Sequence, residues 1–105
     1  MPNFDEEKFI KTIVLTLNKT KGIIMMHEEK EEKLFEENEK VKPHELGIRY
    51  TFDDEDKCII DLYLMVEFGT PIPQIAWEIQ TSLKEVLSEM NIKVDKIHIH
   101  IEGVK

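Results

Sequence analysis

Residues 58–104 read CIIDLYLMVEFGTPIPQIAWEIQTSLKEVLSEMNIKVDKIHIHIEGV, and this stretch decides the architecture. Ile60, Leu62, Leu64, Val66 and Phe68 fall on one side of an extended chain, Asp61, Tyr63, Met65 and Glu67 on the other, because successive strand side chains point to opposite faces. A segment so long and apolar, residues 57–68, belongs in the middle of a sheet. Gly69 turns the chain, Thr70 can cap, and Pro71 suits the first helical position. Ile72, Ile75, Ala76, Ile79, Leu83, Val86, Leu87 and Met90 then form one helical stripe, closed by Asn91. Ile97, Ile99 and Ile101 turn inward on a last strand, and His98, His100 and Glu102 outward. A strand–helix–strand unit of this kind predicts parallel strands with a right-handed crossover.

Working outward, residues 47–53 alternate Ile48, Tyr50 and Phe52 with Arg49, Thr51 and Asp53, a half-buried strand. The cluster Asp53-Asp54-Glu55-Asp56 lacks the glycine and distal Glu of an EF-hand loop and predicts a hairpin tip. Near the start, Asn3 and Glu6 have capping-box spacing. Phe9, Ile10, Ile13, Val14 and Leu17 follow as an apolar stripe, with Lys19 and Lys21 near its end and Gly22 as a left-handed cap. Ile23 to Met26 fit a buried turn or a stub strand. Residues 27–45 form a charged connector, compatible with a solvated helix ending before Pro43 or with a mobile linker. The expectation is one domain over residues 1–105 of α+β class. It is a two-layer α/β sandwich ordered helix–strand–strand–helix–strand, with a three-stranded sheet in order 1-2-3 and both helices on one face.

The chain has 105 residues, is 41% hydrophobic and carries a net charge of −8. That balance disfavours nucleic acid and direct docking on an anionic membrane, both of which need clustered Lys and Arg. No apolar run approaches a membrane span, so no direct membrane insertion is expected. MPNFDEEKF lacks the basic and apolar regions of a secretory leader. The single cysteine, Cys58, suits a reducing compartment, and a cytoplasmic location is expected.

Chemistry is sparse. Pro71 and Pro73 remove two amide donors from the first turn of their helix, which weakens a phosphate site there, and no G-x-x-G loop occurs. Cys58 has inward parity and both strand histidines outward parity, so no Cys–His dyad forms and no catalytic residue is expected. His98 and His100, two apart on one strand, could join Glu102 as zinc ligands; the competing reading is polar alternation on an uncovered face. That face should show Arg49, Thr51, Ile59, Tyr63, Met65, His98 and His100, a mixture resembling a contact surface. Trp77 lies at the margin of its helix's core stripe.

The runs IDLYLMVEFG, PIPQIAWEIQ, VLSEMN and IHIHIEGV resemble, in that order, the alkaline-shock, envelope-stress-response family of mainly Gram-positive bacteria. The resemblance covers the C-terminal half; the glycine-rich passage that relatives place upstream is missing. It implies a non-catalytic, cofactor-free, cytoplasmic protein-interaction module in cell-envelope homeostasis, working through a membrane-anchored protein partner. The expected interaction surface is Tyr63, Met65, Trp77, His98 and His100, with self-association into a homo-oligomer. One alternative is a regulatory subunit of a lipid-synthesis enzyme. The other is a small metal or metabolite binder using His98, His100 and Glu102.

Overall fold

The computed structural model describes residues 4–25 and 42–105. Helix α1 (Glu6–Asn18) leads to a short strand β1 (Ile23–Met25), a 3₁₀ turn (Pro43–Leu46), strands β2 (Ile48–Phe52) and β3 (Cys58–Val66), helix α2 (Ile72–Glu89) and strand β4 (Val94–Val104). Both helices pack on one face of an open sheet, as expected for two layers. The sheet has four strands where three were expected. The stub-strand reading of the segment after Gly22 is the one realised.

The extra strand does not widen the sheet. β3 pairs in parallel with β4 on one side. On its other side it pairs antiparallel with both β2 and β1: Ile48–Phe52 lie against Leu62–Cys58, and Ile23–Met25 against Val66–Leu64. The Tyr63 amide donates to the Gly47 carbonyl at 2.7 Å. Gly47 therefore stands opposite Tyr63 while Met25 stands opposite Leu64, on the next rung. β1 and β2 are one interrupted strand, broken between Met25 and Gly47. Three residues are too few to read by periodicity, which is why the sequence leaves this strand undecided. The bulk of the expected connector, residues 27–41, lies outside the described residues.

Alternation along β3 builds the core. Cys58, Ile60, Leu62 and Leu64 are fully buried and meet Phe9, Ile13, Val14 and Leu17 of α1 and Ile75, Ile79, Leu83 and Leu87 of α2. At the β2 end, Phe4, Phe9, Tyr50 and Phe52 form an edge-to-face cluster, the geometry that ring quadrupoles favour. The Tyr50 hydroxyl donates to the Glu6 carboxylate and ties α1 to β2. Burial, and then this bond, raise the Tyr50 phenol above its ordinary pKa.

Several termini differ from expectation. Asp5 caps α1, its Oδ1 accepting the Lys8 amide at 3.1 Å; Asn3 lies outside the described residues. Lys19, not Gly22, ends that helix. Gly22 is needed for another reason: with φ at 93°, a Cβ there would sit 2.9 Å from the Thr70 side chain. Thr70 does not cap α2; Pro71 holds the cap position without a side-chain bond. Asn91 does close α2 in the left-handed conformation, φ 61°. Phe68 lies beyond the end of β3 and is 88% exposed, because the chain has already left the sheet where its inward parity would count. At the acidic hairpin, Asp53 Oδ1 accepts the Glu55 and Lys57 amides at 2.8 and 2.9 Å. That carboxylate shapes the turn, as an Asx motif does.

Leu62→Ala should therefore lower unfolding stability by about 2–5 kcal/mol, the range for a large core residue cut to Ala. Thr51→Ala, exposed on the other face, should stay within about 0.5 kcal/mol. Urea unfolding midpoints of the two variants provide the comparison.

Candidate functional site

The sheet face opposite the helices carries a connected array of side chains. Register makes Tyr63 the neighbour of His100, and Asp61 the neighbour of both Arg49 and His98. The Tyr63 and His100 rings stack with centroids 4.4 Å apart and planes 9° from parallel. Arg49 places its guanidinium carbon 5.5 Å from the Tyr63 centroid, within cation–π range. His100 Nε2 meets Asp61 Oδ1 at 2.9 Å. Three strands thus contribute to one continuous chain of contacts, Arg49–Tyr63–His100–Asp61.

Its energetics are those of a surface. The stacked pair is worth about 0.5–1.5 kcal/mol beyond area burial. The His100–Asp61 contact is partly solvated on both sides and adds at most about 1 kcal/mol. These values cannot drive folding, but they do hold two rings in fixed orientation on a rigid sheet. Met65 extends the array toward β4, its Cε 3.1 Å from where a Cβ of Gly103 would stand. A shallow groove lined by His44, Glu45, Gly47, Arg49, Tyr63 and Glu102 runs along its other side.

Four of the five residues expected to form an interaction surface, Tyr63, Met65, His98 and His100, share this face. Trp77 does not: it stands on α2 in the helix layer, 66% exposed. His98 is exposed and lies beside Asp61 in register, but it is His100 that takes the carboxylate. Arg49 and Asp61 complete the array. Parity places both on or near this face, whereas their coupling to Tyr63 and His100 needs the strand register, which periodicity does not carry.

Among the described residues no three His, Cys, Asp or Glu side chains converge as a metal-ligand set. His100 is engaged by Tyr63 and Asp61, and Glu102 is the extra residue of a bulge between Ile101 and Gly103. Cys58 is completely buried on the helix side, across the sheet from both strand histidines, and burial pushes its thiol up to about 12. The start of α2 offers an exposed Pro71 and Pro73 rather than a cradle of amides.

A family model of the alkaline-shock proteins, with the description "cell envelope-related function", matches residues 3–105. Among curated proteins, the chain is 33% identical over 63 residues to the uncharacterized protein YqhY of Bacillus subtilis, covering 59% of this chain and 46% of that protein. It is 34% identical over 47 residues to the uncharacterized protein YloU of the same organism, covering 44% and 39%. It is 22% identical over 59 residues to the uncharacterized protein Spy1535 of Streptococcus pyogenes, covering 55% and 46%. The matched region thus spans less than half the length of these relatives. No solved structure matches.

A thiol with its pKa near 12 holds about a thousandfold less thiolate at pH 8 than an ordinary cysteine, and thiolate is the reactive form. Alkylation of Cys58 by iodoacetamide in the folded chain should be slower than in urea by at least that factor. A folded-state rate close to the unfolded one would mean that the thiol is reachable and activated.

Proposed function

The chain belongs to the alkaline-shock protein family, and on that premise we propose that it is a non-catalytic protein-contact module serving the cell envelope. It works from the cytoplasmic side through a membrane-anchored protein. The observation that carries this reading is the Arg49–Tyr63–His100–Asp61 array: oriented aromatic, cationic and anionic groups on the sheet face opposite both helices. Rigid aromatics with a polar fringe suit recognition of another protein, since they lose little conformational freedom on binding and offer both apolar area and hydrogen bonds.

The membrane is reached through a partner because the chain has little means of holding lipid itself. Its net charge is −8, which anionic headgroups repel. Among the described residues no helix is long and apolar enough to cross a bilayer. The reactive-group inventory points the same way: the cysteine is inward with a suppressed thiolate, and the exposed imidazole nearest a carboxylate is stacked on a phenol. Tyr63, Met65, His98 and His100 are the contact residues of this reading.

Immobilised chain should retain a specific integral membrane protein from detergent-solubilised envelopes of the source bacterium. Replacing Tyr63 and His100 together by Ser should weaken that retention by about tenfold or more, equivalent to about 1.4 kcal/mol, as expected for central anchors. Lys11→Ser, exposed on α1, should leave it unchanged. Equal retention by the double variant would move the contact surface off this face, and failure to retain any envelope protein would remove the partner reading.

A further inference from the structure

We propose that the outer edge of β4 pairs antiparallel with β4 of a second copy of this chain, about a two-fold axis through Ile99. The inference rests on β4 and α2 and is independent of the partner assigned to the sheet face.

Strand residues alternate between bonding a neighbour and facing away from it. At the ends of β4, the Lys93 carbonyl accepts the Cys58 amide, and Lys105 both donates to Val66 and accepts from Phe68. Two single-residue bulges, at Asp95 and Glu102, shift the phase between those ends. Lys96, His98 and His100 therefore bond β3, and the amides and carbonyls of Ile97, Ile99 and Ile101 face outward. The Ile97 carbonyl accordingly accepts Nε2 of Gln80 from α2, at 3.0 Å. Among the described residues no strand covers this side of β4. An open edge of this length is a template for another strand, and the two bulges confine regular pairing to the residues between them.

The occupant is argued from self-complementarity. Pairing about Ile99 sets Ile99 opposite its own copy and Ile97 opposite Ile101. The outward amides of all three residues and the carbonyls of Ile99 and Ile101 thus find partners in the second chain, while the Ile97 carbonyl keeps its bond from Gln80 and offers its second lone pair to the copy. On the open face the same register sets His98 opposite His100 and Lys96 opposite Glu102, twice by symmetry. No ion pair among the described residues uses Lys96 or Glu102. Moving the axis to residue 98 opposes Val94 to Glu102. Moving it to residue 100 opposes Lys96 to Val104. Of the registers centred on residues 98, 99 and 100, the Ile99 register alone matches aliphatic to aliphatic throughout the regular segment and brings Lys96 to the bulge that carries Glu102. On the helix side, Trp77 precedes Gln80 by one turn of α2, on the same side of the helix, and is 66% exposed. Trp is the side chain most enriched where interfaces bind tightly.

Sedimentation of the whole chain over a wide concentration range tests this. The native chain should show a monomer–dimer equilibrium. Lys96→Glu and Glu102→Lys should each weaken dimerisation by about tenfold or more, since each turns two attractive cross-strand pairs into repulsive ones. An equimolar mixture of the two variants should recover the native affinity, because Lys–Glu pairing is then restored between unlike chains; that rescue also shows both variants to be folded. Trp77→Ala should weaken the dimer as well. A strict monomer overturns the proposal. So does a dimer indifferent to both charge reversals, or a mixture no more associated than its components. A monomer that associates only with an added extended peptide would assign the edge to a foreign strand and overturn it equally.

Discussion

Alternation along β3 is the constraint on which everything else rests. This strand is bonded on both sides, so its backbone has no freedom to twist away from the pleat. Each residue is committed to one face: Cys58, Ile60, Leu62, Leu64 and Val66 beneath the helices, Ile59, Asp61, Tyr63 and Met65 away from them. A slip of one position would exchange the sets, exposing five apolar side chains and burying a carboxylate. The hydrophobic layer thus fixes not only the fold but also where the polar groups of the opposite face stand, and Tyr63 meets His100 because Leu62 and Ile99 lie beneath the helix layer one step away.

The two lanes flanking β3 are not equivalent. One is shared by β1 and β2 and broken in the middle; the other is a single run of 11 residues whose register shifts twice. Bulges interrupt pairing and bend a strand, and here they fall near the ends of β4, leaving the isoleucine–histidine segment regular between them. Regular geometry, stacked rings and alternating chemistry therefore coincide along the β3–β4 side of the sheet. The acidic hairpin and the proline-opened helix do local work, shaping a turn and starting a helix.

Much of this was legible in the residues themselves. The period of two in β3 and β4 and the period of 3.6 in α1 and α2 specified element types, facing residues and the two-layer arrangement, and Tyr63, Met65, His98 and His100 fell on one face as parity required. What stayed illegible depended on distance in sequence. β1 is three residues long and acquires its identity from hydrogen bonds to β3, some forty positions away. Arg49 and Asp61 join the array through register between strands. Trp77 sits on the margin of a helical stripe, where a helical wheel does not decide exposure. The role of Gly22 was hidden for a similar reason: it is held by Thr70 across the fold, not by the helix it follows.

The broken lane has a further meaning for how such a domain can change over time. Because Met25 and Gly47 occupy adjoining rungs, whatever chain joins them begins and ends about 3.4 Å apart along the strand axis. The entropy of closing a loop grows only with the logarithm of its length. Segments of very different size can therefore be accommodated at this port provided that they re-enter through Leu46, which is buried in the core, and the chain length between the two half-strands can vary while the framework stays constant.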